Sequence, residues 1–404
     1  MDLLRLATAG SVDDGKSTLI GRLLFDSKAI LADQLAHVEA ASADGEVDLA
    51  LLTDGLRAER EQGITIDVAY RHFATARRRF ILADTPGHAQ YTRNMVTGAS
   101  TAELALVLVD VRHGMTEQTR RHLSVATLLG VKHVVVAVNK MDLAGYAEEP
   151  FDEVVRAVLD FTAKLGLEDV GFIPLSALKG DNVIDRSSAM PWYQGPPLLE
   201  FLETVPVGDA IETLPSRLPV QTVLRGDDRW YAGRLASGTV RVGDEVTVLP
   251  SGLRTRVSGV SVAGAEAESA EAPLSVAVRL ADQVDAGRGD VIVAADDQPR
   301  VTREIEAAVC WLGDRPASPA GRYLLKQGTR TVRAKLDEIT SRLVLESGTW
   351  SPTHDGLALN DVGTVRVRTG SEVVVDPYDR IRGTGGFVLI DEQTNETVAA
   401  GMVR

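Results

Sequence analysis

Two rhythms divide the chain. Up to about Val207, short continuous apolar runs at residues 3–9, 80–83, 104–109, 134–138 and 172–175 alternate with amphipathic stretches at 17–24, 118–129, 151–165 and 198–205. In the first of these stretches Leu19, Ile20, Leu23 and Leu24 share one helical face. A strand that is apolar throughout, and not at every second position, is buried on both faces, and the intervening helices supply the cover. The pattern predicts an α/β domain built on a mostly parallel sheet.

Beyond Pro206 the rhythm changes. From Leu218 onward, short alternating strands are separated by turns containing Gly, Asp and Pro, as in the stretch from Gly238 to Val248. Helical periodicity nearly vanishes, which predicts a β-barrel or β-sandwich. A polar stretch near 294–299 divides this region, so the expected domains are 1–210, 211–300 and 301–404. A length of 404 residues also calls for more than one core.

Composition narrows the class without naming it. The chain is 44% hydrophobic and 25% charged, ordinary values for a globular protein. Its net charge of -14 argues against nucleic acid as the main partner, because phosphate contacts need Lys and Arg. A single cysteine, Cys310, forms no internal disulfide and fits a reducing cytoplasm. No apolar run is long enough to span a bilayer. Met1 leads straight into the first apolar run, so no secretory leader is expected.

The chemistry lies in the connections after the apolar strands. Gly10, Ser11, Val12, Asp13, Asp14, Gly15, Lys16 and Ser17 fit G-x-x-x-x-G-K-[ST], with Thr18 next in the first helical turn. Glycines let backbone N–H groups curl around a phosphate, and the helix start adds its dipole. Lys16 would reach the outer phosphates and the Ser17 hydroxyl would bind Mg²⁺. Asp84, Thr85, Pro86, Gly87 and His88 follow the second apolar run. There Asp84 would hold a magnesium-bound water, the Gly87 N–H would meet the γ-phosphate, and His88 would orient the attacking water. Thr65 lies between the first helix and the next strand, where a hydroxyl can join the Mg²⁺ shell only while a γ-phosphate is present.

Base choice would come from two later loops. The Asp142 carboxylate, in Asn139, Lys140, Met141 and Asp142, can accept from guanine N1–H and the 2-amino group, whereas adenine would leave it buried and unpaired. Asn139 would tie this loop to the base and the phosphate loop, and the Lys140 stem would lie along the purine face. Ser176, Ala177 and Leu178 would offer a backbone N–H to guanine O6. These segments together predict a GTP site and not an ATP site. Asp13, a carboxylate inside a phosphate loop, is a candidate to recruit K⁺; the alternative turns it to solvent.

The first two hundred residues resemble the translation-factor family of GTPases, and the β region resembles the two barrels that follow the GTP-binding domain there. Translation factors usually carry His at the position of Ser11 and often at that of Asp14. Three stretches, GSVDDGKSTLIGRLL from Gly10, DTPGHAQYTRNMVTGAST from Asp84 and GTGGFVLIDEQTNETVAAGM from Gly383, instead resemble the GTPase subunit of bacterial sulfate adenylyltransferase. The resemblance implies an α/β P-loop GTPase domain followed by two β-barrel domains, with Mg²⁺ and GTP at the site. It also implies a separate small catalytic subunit that makes adenosine 5′-phosphosulfate from ATP and sulfate, driven forward by GTP hydrolysis. Some relatives carry a fused adenylylsulfate kinase domain, which is not expected before Arg404. The rival reading is a GTP-switched carrier of aminoacyl-tRNA.

Other features read as structural. Arg77, Arg78 and Arg79 are expected at the solvated tip of a hairpin. His37, His72, His113, His122, His133 and His354 are expected to play no part in the chemistry. Trp192, Tyr193 and Trp311 read as packing, and the Asn395 glycosylation pattern carries no meaning without a leader.

Overall fold

The structure, a computed structural model, describes residues 2–27, 49, 67–86, 88, 92–208, 211–226, 228–353 and 355–404. Thr65, Gly87, His37 and His354 lie outside the described residues. Two compact units emerge, 1–207 with 344–349, and 208–343 with 350–404.

The first unit is an α/β sheet. Its strands are β1 (Leu3–Gly10), β2 (Ala69–Ala74), β3 (Arg79–Asp84), β4 (Leu104–Asp110), β5 (His133–Asn139) and β6 (Val170–Pro174), in the order β2-β3-β1-β4-β5-β6. β3, β1, β4, β5 and β6 run parallel, and only β2 pairs antiparallel, with β3. Every residue of β4 is buried, as its unbroken apolar run requires. Among the described residues its helices are α1 (Lys16–Asp26), α2 (Thr92–Ala99), α3 (Glu117–Leu128), α4 (Glu148–Leu165) and α5 (Leu198–Thr204). Leu19, Ile20 and Leu23 of α1 pack with Leu4, Leu82, Leu106 and Val135 in one core.

One expectation fails here. Arg78 is buried and donates to the Leu202 and Val205 carbonyls at 2.9 and 2.7 Å. The last carbonyls of a helix have no partner within it, and Arg78 supplies one at the end of α5. Only Arg77 of the trio sits at an exposed turn, 3.5 Å from Glu203. Thus the arginine run fixes the last helix of this unit to the hairpin.

The second unit is almost all β. One sheet runs in the order Arg217–Pro219, Val291–Ala294, Glu245–Leu249, Leu253–Val262, Ser275–Leu280, Arg229–Arg234 and Thr222–Arg225. Arg217 also bridges to Ser237, just beyond Arg229–Arg234, which curls this sheet toward closure. In the other sheet Arg322–Gln327, Gly386–Asp391, Thr397–Val403, Arg300–Trp311, Val362–Val375 and Arg330–Val344 follow one another. Arg330–Val344 pairs back with Arg322–Gln327, so this second barrel closes. Each sheet has its own core, one around Tyr231, Val248 and Val278, the other around Trp311, Leu336 and Val365. Between them the fully buried Arg217 guanidinium forks onto Asp376 at 3.0 and 3.1 Å and reaches Asp297 at 2.8 Å.

Candidate functional site

The parallel strands of the first unit bring their carboxyl ends to one edge of the sheet. Gly10 ends β1, Asp84 ends β3, Asp110 ends β4 and Asn139 ends β5. Open α/β sheets bind ligands at this edge.

The loop from Gly10 to Lys16 is tightly wound. Asp13 has φ 69° and Gly15 φ 90°, both left-handed. The Ser11 N–H donates to Asp14 Oδ2 at 2.7 Å, and the Asp14 N–H returns a bond to the Ser11 carbonyl at 3.2 Å. At Gly15 a Cβ would collide with the Asn139 side-chain amide, so glycine is required by space as well as by φ. Gly15 caps α1 without a side chain, and no acidic residue occupies the first turn. By contrast α3 is capped by a Thr116–Thr119 box and carries Glu117 in its first turn. The start of α1 therefore offers uncapped N–H groups, suited to an anion. Ser17 and Thr18 are half-buried in that turn; Val12 and Asp13 are exposed.

Lys16 and Asp84, both buried, form an ion pair. Thr85 is fully buried and its hydroxyl donates to the Thr8 carbonyl at 2.5 Å, fixing the end of β3 against β1. Pro86 is buried and His88 is exposed.

Asn139 joins three loops. Its Nδ2 donates to the Asp14 carbonyl at 2.7 Å, and its Oδ1 accepts from the Ala177 N–H at 2.9 Å. Lys140, at φ 64°, donates to the Asp13 carbonyl and sits 3.0 Å from Asp110 Oδ2. The ammonium is thus held by the phosphate loop and β4, and it fixes the course of the stem. Met141 is fully buried and its N–H bonds to the Leu175 carbonyl at 3.2 Å, which leaves the half-buried Asp142 in the first turn of a short 3-10 helix, Met141–Ala144. In the last loop the Ser176 N–H bonds to the Asp181 carbonyl at 3.1 Å, and the Ser176 hydroxyl accepts from the Lys179 N–H at 3.2 Å. Ala177 is buried, and Leu178 is 58% exposed.

Two carboxylates stand at the centre, Asp14 of the phosphate loop and Asp110, which the sequence reading missed. Asp110, 1% exposed, accepts from the Arg112 backbone at 2.9 Å and from its guanidinium at 2.7 and 3.1 Å. Burial pushes the Asp110 carboxyl up, but the Arg112 and Lys140 bonds and charge outweigh it and hold the group far below the usual range. Asp14 goes the other way. Burial raises it to about 6, against hydrogen bonds from the Ser11 and Asp110 backbones that lower it. The signal for Asp110 was available: it ends an apolar strand, as Asp84 and Asn139 do. His122, by contrast, is buried. Burial lowers it to about 3, with Arg121 and Lys16 adding to the effect, so it is neutral and bonds Gln118 at 3.1 Å.

The described residues contain no group of three or more His, Cys, Asp or Glu able to hold a metal ion. A Ser hydroxyl and one strand-end carboxylate are hard oxygen donors. They suit Mg²⁺, which takes few protein ligands and completes its shell with water and phosphate oxygens.

Comparison with known proteins agrees with this geometry. The elongation factor Tu GTP binding domain family matches residues 1–213, and the GTP-eEF1A C-terminal domain-like family matches 304–404. The bifunctional enzyme CysN/CysC of Mycobacterium tuberculosis strain H37Rv is 54% identical over 99% of this chain and 67% of its own length. Sulfate adenylyltransferase subunit 1 of Cellvibrio japonicus is 50% identical over 100% of this chain and 86% of its own. The solved GTPase-like domain of S. cerevisiae Ski7, bound to GTP, shares the fold at TM-score 0.54 and 18% identity, over 100% of this chain and 97% of that one. The chain belongs to the sulfate adenylyltransferase subunit 1 family, GTPases built on the elongation factor Tu GTP-binding domain.

Proposed function

We propose that this chain binds GTP with Mg²⁺, hydrolyses it, and uses the hydrolysis to drive a separate small subunit that makes adenosine 5′-phosphosulfate from ATP and sulfate. The observation that carries the nucleotide half is Asn139, whose two hydrogen bonds tie the phosphate loop to both base loops. The second half rests on full-length relatives named for sulfate adenylyltransferase. Those names, with the net charge of -14, weigh against a carrier of aminoacyl-tRNA.

In this reading residues 10–18 cradle the phosphates. Lys16 leaves Asp84 to meet the outer phosphates, a like-for-like exchange of one anion for another that spares it an unpaired buried charge. Ser17, Thr65 and, through water, Asp84 would hold Mg²⁺, which neutralises charge on the phosphates. Asp142 accepts from guanine N1–H and its amino group, and the loop 176–178 meets O6. His88 orients the attacking water, and its exposed setting keeps it within reach of a partner. A K⁺ on Asp13 remains part of the proposal, against the solvent-facing alternative that the exposed side chain favours. The domains are taken as 1–210, 211–300 and 301–404, on the strength of the two separate β cores. We take the cytoplasm as the compartment, since a single cysteine can form no internal disulfide; among the described residues no helix is long and apolar enough to cross a membrane.

The test is co-purification from native cell extract, with mass identification of the bound chain and a GTP turnover assay. A sulfurylase small subunit that raises turnover in the presence of ATP and sulfate supports the proposal. Stimulation by ribosomes and not by that subunit would replace it with the carrier reading.

A further inference from the structure

The loop 176–178 has three backbone N–H groups, and two of them are occupied inside the protein. The Ser176 N–H bonds to the Asp181 carbonyl at 3.1 Å, and the Ala177 N–H to Asn139 Oδ1 at 2.9 Å. The N–H of Leu178 belongs to the Ala177–Leu178 peptide. On its other edge that peptide carries the Ala177 carbonyl, and in a trans peptide the C=O and N–H point in opposite directions. A group that fixes the carbonyl therefore aims the N–H.

Arg22 is that group. It lies on α1, six positions after Lys16, and its side chain runs to the base loop 155 residues further along the chain. Nε donates to the Ala177 carbonyl at 3.3 Å and Nη2 donates to the Leu178 carbonyl at 2.7 Å. Nη1 stands 3.6 Å from Asp26, one turn along the helix, which steadies the third edge of the guanidinium. The planar fork thus holds two successive carbonyls of a loop whose Leu178 side chain is exposed and gives it no packing anchor. A cationic donor on a peptide oxygen also polarises that peptide and strengthens its N–H as a donor.

We propose that Arg22 is a positioning residue for guanine: it fixes the Ala177–Leu178 peptide so that the Leu178 N–H meets O6. This rests on the reading of 176–178 as the guanine loop. The bonds of Arg22 go to the Ala177 and Leu178 carbonyls and to Asp26, and none goes to residues 10–18. It links the helix that begins at the phosphates to the loop that reads the base.

Equilibrium binding to the full chain tests it with three probes in the presence of magnesium. GTP carries O6, 2,6-diaminopurine riboside triphosphate carries an amino group there, and inorganic triphosphate has no base. Arg22→Ala should reduce the preference for GTP over the diaminopurine nucleotide by about fivefold, the worth of one oriented hydrogen bond. Affinity for inorganic triphosphate should stay within about twofold, because no Arg22 bond reaches the phosphate loop. Arg22→Lys keeps the charge but not the fork, and should recover only part of the preference. A preference unchanged in Arg22→Ala, a parallel loss for inorganic triphosphate, or full recovery by lysine would each overturn the proposal. Asp142→Asn separates the two levels. If it shifts preference from GTP toward xanthosine triphosphate while Arg22→Ala changes nothing, Arg22 alone is wrong; if Asp142→Asn also changes nothing, the guanine reading falls and takes Arg22 with it.

Discussion

Asn139→Ala takes away two buried hydrogen bonds at once. The side chain is 2% exposed, and it stands between the Asp14 carbonyl at 2.7 Å and the Ala177 N–H at 2.9 Å. Asp14 and Ala177 are themselves 3% and 1% exposed, so neither abandoned group gains full access to water. Leaving a buried polar group unpaired costs about 1–3 kcal/mol, so the pair puts roughly 2–6 kcal/mol at stake. Relaxation of both loops recovers part of this at the expense of the preorganised site. We expect a lower nucleotide-free thermal midpoint and a GTP affinity reduced by about 10- to 100-fold, equivalent to roughly 1.4–2.7 kcal/mol. Asn139→Asp is the sharper variant. It has the same shape but sets an oxygen against the Asp14 carbonyl and adds a charge beside the buried Asp14 and Asp110. It should bind GTP more weakly than Asn139→Ala. Calorimetric titration with GTP measures both. An aspartate variant that binds as well as the wild type would refute the role assigned to the bridge.

His88→Ala should keep GTP affinity within a few-fold and lower turnover by roughly 10² or more, measured as phosphate release, since His88 is exposed and its loss leaves the fold intact. Survival of turnover would assign the water to another group. Asp14 gives a pH signature. It is protonated more readily folded than unfolded, so its stabilising contribution is complete below pH 3.8 and is lost as pH rises through about 6. The magnitude is on the order of 3 kcal/mol. Asp14→Asn should flatten chemical-denaturation stability across that window, whereas an unchanged slope would exclude Asp14 as its source. Arg217→Met leaves Asp376, 1% exposed, without its main counter-charge and should destabilise the second unit by about 3–5 kcal/mol in a denaturation assay. A loss under 1 kcal/mol would contradict the importance given to this buried fork.

The alternation of apolar strands and amphipathic helices was readable because a parallel sheet buries both faces of each strand, and β4 shows this along its whole length. The phosphate loop was readable because its glycines answer a spatial demand, as the clash of a Gly15 Cβ with Asn139 makes plain. α2 left no such trace. Its buried positions are Thr92, Met95, Val96, Gly98 and Ala99, small or mixed side chains that form no apolar stripe. Arg78 and Arg22 were hidden for another reason. Each answers backbone carbonyls more than 120 residues away in sequence, at the end of α5 and in the base loop. Nothing local distinguishes such an arginine from one on a solvated face. Asp110 lies between these cases. Its place at a strand end marks it, but nothing local shows that Lys140, from the next strand's loop, pairs with it.

In the proposed function, GTP hydrolysis on this chain drives phosphosulfate synthesis by a partner. Catalysis alone cannot move an equilibrium, so the end-point yield decides the matter and the rate does not. Adenosine 5′-phosphosulfate should be measured at completion with the small subunit, ATP and sulfate, in parallel reactions containing GTP, a non-hydrolysable GTP analogue or neither. GTP should carry the yield beyond the limit set by ATP and sulfate, while the analogue alters only the approach to that limit. Equal end points in all three reactions would contradict the account and reduce this chain to a GTP-binding accessory.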